Sequence, residues 1–233
     1  MSRNSMKLIA PFNYSEKFCL PSLSNLIRKI NNFKSEGVSN FEVISDFDFT
    51  LTRFSVNGYP SKTSVTLAQT TGKSEARMQE VKALHDYYSP IEHSYTIPTD
   101  VKANYMNEWW HRSSAMLIND HLEKKDIQSL VLNSNVFVRH GIKQFVARCK
   151  FFSIPFTIVS AGFGNVIEEY FEELRFEPVI NFFSNFLLED ENGKLAIRTE
   201  PYIVSIEKNK VLAGSKLRPN VLLLGDMVSV RNI

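Results

Sequence analysis

The sequence predicts an α/β fold with a central parallel sheet and a mostly helical segment inserted into it. Apolar runs typical of buried strands occur at Phe41–Ser45, Phe156–Val159 and Val221–Leu224. Helical patterns separate these runs, and strands that alternate with helices are typical of parallel sheets. Because ligands bind beyond the carboxyl ends of such strands, we expect one shared site from the polar residues that follow the three runs: Asp46, Ser160 and Asp226.

The composition is that of an ordinary globular protein, with 43% hydrophobic and 22% charged residues in a chain of 233. A formal charge of +2 with scattered lysines and arginines gives no basis for nucleic-acid binding. No apolar run approaches the roughly 20 residues needed to span a bilayer, and Met1–Ala10 does not resemble a signal peptide. Cys19 and Cys149 lack the spacing of a metal site or a disulfide framework. We therefore expect a monomeric, cytoplasmic protein.

The N-terminal part is predicted to contain a helix followed by the first strand. Apolar residues recur at helical spacing between about Tyr14 and Phe33. Gly37 ends this pattern, and the strand Phe41–Ser45 follows. Beyond it, Asn57–Pro60 has the composition of a turn.

The segment after this turn has few glycines, no obvious strands, and helical periodicity in Ala76–Tyr88 and Asn104–Leu122. We therefore predict an inserted helical domain over residues 58–132. Residues 1–57 and 133–233 would then form a discontinuous core.

The core resumes with a second αβ unit. A helix is predicted after Gly141, and Pro155 precedes the strand Phe156–Val159. The loop Ala161–Gly164 is expected to lead into a helix over Asn165–Leu174. A turn is predicted in the polar stretch at Glu191–Lys194, and the last strand stops just before Asp226.

The pair Asp46 and Asp48 follows the first strand directly. Side chains alternate between the faces of a strand, so these two carboxylates project from the same side. There they can converge on one metal ion and one phosphoryl group, as a carboxylate nucleophile and an acid/base require. Taken alone, the pair is equally explained as a polar strand end capped by aspartate.

Several stretches, taken in order, resemble the cytosolic 5′-nucleotidase III, or pyrimidine 5′-nucleotidase, family of the haloacid dehalogenase superfamily. The resemblance implies a Rossmann-like parallel core with an inserted helical cap. The matching stretches are DFDFTLTRF (Asp46–Phe54), YYSPIE (Tyr87–Glu92), YMNEWWHRS (Tyr105–Ser113), SIPFTIVSAGFGNVIEE (Ser153–Glu169), SNFLLEDENG (Ser184–Gly193) and LLLGD (Leu222–Asp226).

This resemblance implies that Asp46 is the nucleophile and Asp48 the acid/base. It implies that Ser160 hydrogen-bonds a phosphoryl oxygen and that Ala161 and Gly162 follow it around the phosphate. The alternative for Ser160 is an ordinary serine at the entry to a helix. Mg²⁺ would lie between Asp46, the backbone carbonyl of Asp48 and Asp226, where it would offset the repulsion between carboxylates and phosphate.

By the same resemblance, a lysine stabilises charge on the phosphoryl oxygens. Counting from Gly193, this lysine is Lys208, with Lys210 as a close competitor. Either residue could instead be a solvated surface charge.

The helical segment corresponds to the family's cap domain, which closes over the site and excludes water. Within it, Glu92 would contact the nucleobase and Ser113 would assist near the phosphate. Trp109 and Trp110 would form an aromatic wall, although two adjacent tryptophans on a helix are more often core residues.

The end of the sequence departs from the family pattern. The family has a second acidic residue in its last motif, whereas Asp226 is followed by Met227–Val230, which places Val230 at that position. The family continues beyond the point corresponding to Ile233, so we expect an incomplete core with its last strand at an exposed sheet edge. Asn165 stands where the family usually has aspartate, and we expect it to cap a helix.

The residues and the resemblance together predict a Mg²⁺-dependent 5′-nucleotidase. It would hydrolyse nucleoside 5′-monophosphates, of the pyrimidine or 7-methylguanosine type, through an aspartyl-phosphate. The alternative is a degenerate relative that binds nucleotide or a partner without turnover, as Val230 suggests. A phosphatase for another phosphomonoester is a third hypothesis, against which the match at Glu92 argues.

Overall fold

The computed structural model describes residues 22–134, 136–173 and 181–226. The helices are α1 (Leu23–Glu36), α2 (Ser64–Thr70), α3 (Glu75–Glu92), α4 (Thr99–Asn119), α5 (Lys124–Leu132), α6 (Ile142–Phe151) and α7 (Gly164–Glu173). The strands are β1 (Phe41–Ser45), β2 (Ser55–Val56), β3 (Tyr59–Pro60), β4 (Phe156–Phe163), β5 (Asn181–Asn185), β6 (Leu187–Glu189), β7 (Leu195–Arg198) and β8 (Asn220–Leu224).

The main sheet has four strands in the order β5-β4-β1-β8, and every neighbouring pair is parallel. This confirms the predicted α/β class. Ser45 at the end of β1 is in register with Leu224 at the end of β8 and with Ile158 of β4, so β1 and β8 end at the same edge of the sheet, beside the second half of β4. The backbone N–H of Asp46 continues the pairing by donating to the carbonyl of Leu224 at 3.0 Å. The residues that follow β1 and β8 are therefore brought side by side.

The predicted elements of the first half occur with small shifts in their ends. Strand β1 has the predicted bounds, and Gly37 ends α1 with a left-handed φ of 77°. Helix α4 begins at Thr99 rather than Asn104 and ends at Asn119 rather than Leu122. The part of the first predicted helix before Ser22, which includes Cys19, lies outside the described residues.

The predicted loop Ala161–Gly164 is wrong. Strand β4 continues to Phe163, and α7 begins at Gly164. The register with β5 shifts between Val159 and Phe163, after which Phe163 pairs with Asn185. Ser160, Ala161 and Gly162 therefore lie within the irregular strand β4 rather than on a loop.

Several short elements were not predicted, namely α2, α5 and the strands β2, β3, β5, β6 and β7. Asn57 and Gly58 both have positive φ, at 52° and 83°, which is the backbone of a two-residue turn between antiparallel strands. The predicted turn there is confirmed, and it closes a hairpin. The predicted turn at Glu191–Lys194 likewise connects β6 and β7, which pair antiparallel.

Helices α2–α5 follow β3 along the chain and precede α6. The start of α3 is tied to the end of α4 through Asp120. Arg77 donates to both carboxylate oxygens of Asp120 at 3.1 Å, and Lys73 lies 3.0 Å from one of them. Because the carboxylate of Asp120 is buried, this ion-pair network fixes the two long helices to each other more firmly than a surface pair would.

The largest core cluster joins the sheet to the helices on one face and includes Val43, Leu117, Ile158, Val166 and Leu187. A smaller cluster connects α3 and α4 to the segment after β7, through Tyr88, Ala103, Met106, Val204 and Ile206. The helical segment thus packs against the sheet through the first cluster and against the segment after β7 through the second. Among the described helices, we find none with the length and hydropathy needed to cross a bilayer.

We predict that Ile158→Ala lowers the free energy of unfolding by about 2–5 kcal/mol, because it leaves a cavity in the most buried part of the sheet. Ile158 is 1% exposed, whereas Ile197 on β7 is 51% exposed. The matched variant Ile197→Ala should therefore lose less than about 1 kcal/mol. Urea unfolding at neutral pH measures both values, and equal losses would contradict the described packing.

Candidate active site

A cavity of about 440 Å³ lies at the carboxyl edge of the sheet, a volume in the usual range for small-molecule sites. It is lined by all of the predicted site residues: Asp46, Asp48, Glu92, Ser113, Ser160, Ala161, Gly162, Lys208 and Asp226. The chain therefore brings these residues together from β1, β4, β8, the helical segment and the segment after β7.

Asp46 is buried at the end of β1 and forms an ion pair with Lys208. Its Oδ1 lies 2.7 Å from the Nζ of Lys208 and also accepts the backbone N–H of Phe47 at 2.7 Å. Lys208 is 5% exposed and begins a short 3₁₀ turn. The side chain of Lys210 is instead 70% exposed and pairs with Glu207. Of the two candidate lysines, the structure brings Lys208 to the predicted nucleophile.

Asp226, just after β8, lies against Asp46. Burial and the charge of Asp46 raise the pKa of Asp226, and the two carboxyl groups are within hydrogen-bonding reach. Two adjacent carboxylates repel each other unless a proton or a cation lies between them. Lys208 supplies one positive charge beside this pair, and the site has room for another.

The donor set beside Lys208 fits a magnesium ion. In the described residues, no group of three or more His, Cys, Asp or Glu side chains could hold a metal by itself. Mg²⁺ does not require such a group, because it usually keeps several waters and binds one or two carboxylates. The site provides two carboxylates, from Asp46 and Asp226, together with the backbone carbonyl of Asp48. Val230 lies outside the described residues.

The carboxylate of Asp48 is held by a residue that was not predicted, Ser64. Oδ1 accepts the backbone N–H of Ser64 at 2.8 Å, and Oδ2 accepts its hydroxyl at 2.6 Å. Burial raises the pKa of Asp48 to about 7, although the hydrogen bonds from Ser64 act in the opposite direction. A carboxyl group with such a pKa can both donate and accept a proton near neutral pH.

The backbone after Asp48 turns sharply and is supported from the far side by Arg139. Phe49 has a left-handed φ of 59°, which is uncommon for a residue with a side chain. Arg139 donates to the carbonyl of Phe49 at 2.7 Å and to that of Thr50 at 2.9 Å. The guanidinium therefore stabilises the turn that aims Asp48 into the cavity.

Ser160 is buried within β4, four residues before α7 begins, so the alternative of a helix-entry serine is wrong. Its Oγ accepts the N–H of Gly162 at 3.0 Å, which leaves the hydroxyl hydrogen available to a ligand. Neighbouring residues of β5 fix the backbone here: Ser184 donates to the carbonyl of Gly162 at 3.1 Å, and Asn185 to that of Ala161 at 3.2 Å.

The far part of the cavity is formed by the helical segment. Ser205, another residue that was not predicted, donates its hydroxyl to Oε1 of Glu92 and so orients that carboxylate. Trp109 lines the cavity and stacks on Tyr88, with ring centroids 5.5 Å apart. Trp110 lines the cavity too, but it also belongs to the main core cluster. The tryptophans were predicted to be either an aromatic wall or core residues. Both tryptophans line the cavity, and Trp110 is a core residue as well.

Asn165 does not cap α7 as expected. Its side-chain amide donates to the carbonyl of Leu187 and accepts the N–H of the same residue, both at 3.0 Å. Only an amide can make this pair of bonds, because a carboxylate has no hydrogen to donate. Asn165 thus fixes β6 to the start of α7. Leu174, the predicted end of that helix, lies outside the described residues.

The residues that sequence reasoning missed share one property, which is that they act across long distances in the chain. Ser64, Arg139 and Ser205 contact partners 16, 89 or 90, and 113 positions away. Their residue types are common, and no local spacing distinguishes them. Only the fold reveals that they contact functional groups.

A model of the pyrimidine 5′-nucleotidase (UMPH-1) family matches residues 49–230 of the chain. A 7-methylguanosine phosphate-specific 5′-nucleotidase of Gallus gallus is 34% identical over 206 residues, which cover 84% of this chain and 71% of that protein.

Two solved structures have a similar fold. One is cytosolic 5′-nucleotidase IIIB bound to cytidine, with a TM-score of 0.75 and 22% identity, covering 91% of this chain and 70% of that one. The other is a phospho-aspartyl intermediate analogue of phosphoserine phosphatase, with a TM-score of 0.50 and 16% identity, covering 79% of this chain and 76% of that one. At these identities the similarity shows the fold alone.

We predict that Lys208→Met lowers the free energy of unfolding of the metal-free protein by about 3 kcal/mol at neutral pH, because it leaves Asp46 buried without its partner. The exposed pair of Lys210 should contribute less than about 1 kcal/mol, so Lys210→Met is the matched control. Urea unfolding in the presence of a chelator gives both values. A loss for Lys208→Met no larger than that of the control would contradict the ion pair.

Proposed function

Because the chain belongs to the pyrimidine 5′-nucleotidase family, we propose that it hydrolyses nucleoside 5′-monophosphates to nucleoside and phosphate through an aspartyl-phosphate. The observation that carries this proposal is the meeting of Asp46, Lys208 and Asp226 at one cavity, with Asp48 and Ser160 beside them. Each role in the reaction then has a residue of suitable chemistry. The nucleophile is Asp46, the cation Lys208, the additional metal ligand Asp226 and the acid/base Asp48.

In the proposed first step, a carboxylate oxygen of Asp46 attacks the phosphorus, and the bond from phosphorus to the 5′ oxygen of the nucleoside breaks. Lys208 holds the carboxylate of Asp46 in place, since its Nζ lies 2.7 Å from Oδ1. As charge develops on the phosphoryl oxygens, the same ammonium group is close enough to stabilise it. The hydroxyl of Ser160 donates to one of those oxygens, and Ala161 and Gly162 form the adjoining wall.

Asp48 supplies the proton that the leaving nucleoside oxygen requires. In the second step it takes a proton from the water that attacks the aspartyl-phosphate, which releases phosphate and regenerates Asp46. This double role requires a carboxyl group that faces the cavity without coordinating the phosphate itself. The bonds from Ser64 hold Asp48 in such a position.

Asp46, Asp226 and the carbonyl of Asp48 would hold Mg²⁺, which supplies positive charge that allows an anionic nucleophile to approach a phosphate dianion. The adjacency of the two carboxylates supports this assignment, because burial and the charge of Asp46 raise the pKa of Asp226, and a cation would offset both effects.

We further propose that residues 58–132 act as a cap that holds the nucleoside. Glu92 and Ser113 line the same cavity as Asp46, and the indole of Trp109 adds a flat apolar surface to its wall. A carboxylate accepts hydrogen bonds from the exocyclic amine of cytosine and of 7-methylguanine alike. The Gallus gallus relative and the cytidine-bound structure favour these two bases as candidates. Since that relative is described as a cytosolic enzyme, we propose a cytoplasmic location for this chain as well.

We predict that Asp46→Asn lowers phosphate release from CMP and 7-methyl-GMP by about 10⁴-fold or more, because an amide cannot act as the nucleophile. Wild-type activity should require Mg²⁺ and disappear with a chelator. Asp86, which is exposed on α3, provides the control Asp86→Asn with unchanged activity. Retention of full activity by Asp46→Asn would refute the mechanism, and nucleotide binding without turnover by the wild type would favour a non-catalytic relative.

We predict that Glu92→Gln raises KM for both nucleotides by about 10- to 100-fold with a smaller effect on kcat, because a charge-assisted hydrogen bond to the base is lost. Hydrolysis of p-nitrophenyl phosphate, which has no base, should be unaffected. The control is Glu80→Gln, a change at an exposed residue of α3. Equal losses on the nucleotides and on p-nitrophenyl phosphate would show that Glu92 does not contact the base.

A further inference from the structure

We infer that Ser64 is a positioning residue for the proposed reaction, acting through Asp48. This inference rests on the proposed function, since it assigns Ser64 the task of fixing the carboxyl group that protonates the leaving nucleoside. Nothing in the pattern of the sequence points to Ser64, and it lies outside the strand ends that carry the other site residues.

Ser64 makes contacts with two separate parts of the site. Its backbone N–H and its hydroxyl donate to the two oxygens of Asp48, at 2.8 and 2.6 Å. Its Oγ also accepts the backbone N–H of Phe163, at the end of β4, at 3.0 Å. The hydroxyl is therefore used both as donor and as acceptor, and it connects the residue after β1 to the end of the neighbouring strand.

The surroundings leave little freedom to this arrangement. A Cβ at Gly162 would lie 2.3 Å from the Oγ of Ser64 and 2.6 Å from Oδ2 of Asp48. Both distances are shorter than any van der Waals contact, so only glycine leaves space for the pair. Ser64 itself is buried. The two hydrogen bonds from Ser64 hold the carboxylate of Asp48 in one orientation within this space.

A serine at the start of a helix is usually explained as a cap, but the geometry excludes that role here. The cap of α2 is Thr63, whose Oγ1 accepts the N–H of Thr66 at 3.1 Å. The hydroxyl of Ser64 makes no bond to the helix among the described contacts and is directed to Asp48 and Phe163 instead. The helix start can therefore be perturbed separately from the contact to Asp48.

Fixing Asp48 matters most when the leaving group needs a proton. The alkoxide of a nucleoside leaves poorly without protonation, whereas p-nitrophenolate leaves well without it. General acid catalysis is typically worth 10²- to 10⁴-fold, and part of this depends on exact placement of the acid. Loss of the Ser64 hydroxyl should therefore affect nucleotides selectively.

The test compares kcat/KM of the full chain with Mg²⁺ on CMP and on p-nitrophenyl phosphate. We expect Ser64→Ala to lower the value for CMP by about 10- to 100-fold and that for p-nitrophenyl phosphate by less than about threefold. Ser64→Cys, which keeps a γ atom but donates only weakly, should show the same selectivity. Thr63→Ala, which removes the cap of α2 but not the contact to Asp48, should lower both values equally or leave both unchanged.

An equal loss on both substrates for the two Ser64 variants, or no loss on CMP, would overturn the inference and leave Ser64 a packing residue. That result is distinct from failure of the proposed function. In the latter case, the folded wild-type protein would release phosphate from neither substrate.

Discussion

Asp46 lies between a buried lysine and a second carboxylate, and the rest of the site is arranged around that pairing. The parallel register of β1 and β8 places Asp46 and Asp226 side by side, which is unfavourable for two negative charges. Lys208, buried with its Nζ 2.7 Å from Oδ1 of Asp46, offsets part of this repulsion and holds the nucleophile in place. Removing one partner of a buried charge pair is destabilising, but the pair as a whole is often no more stabilising than apolar residues of similar volume, so its presence at the sheet edge is best explained by chemistry.

The acid/base carboxyl group is placed by contacts from outside the strand that carries it. Arg139 stabilises the left-handed turn after Asp48, and Ser64 holds the carboxylate itself. Gly162 leaves the space in which the two side chains meet. The helical segment therefore contributes to the reacting end of the cavity as well as to the end lined by Glu92.

Much of the site could be predicted because parallel sheets place the carboxyl ends of their strands together. That rule alone was enough to predict that the aspartates after β1 and β8 belong to the site. Ser160 was predicted in the same way, because it follows an apolar run typical of a strand. Glu92, Ser113 and Lys208 came from the family resemblance, since a glutamate, a serine or a lysine in a helix or a polar stretch carries no recognisable pattern. The extension of β4 was missed because its polar and glycine residues are typical of loops. Helices α2 and α5 are too short to show clear periodicity, and Asn165 could not be distinguished from a cap without the position of Leu187.

The decisive measurement identifies the residue that becomes phosphorylated during turnover. The protein is quenched with acid while it hydrolyses CMP, reduced chemically, and analysed by peptide mass spectrometry. An aspartyl-phosphate is an acyl phosphate, and borohydride reduces it to a homoserine residue that marks the nucleophile. We expect this mark at Asp46, only when the nucleotide is present, and not without Mg²⁺. A mark at another residue, or turnover with no marked residue, would contradict it.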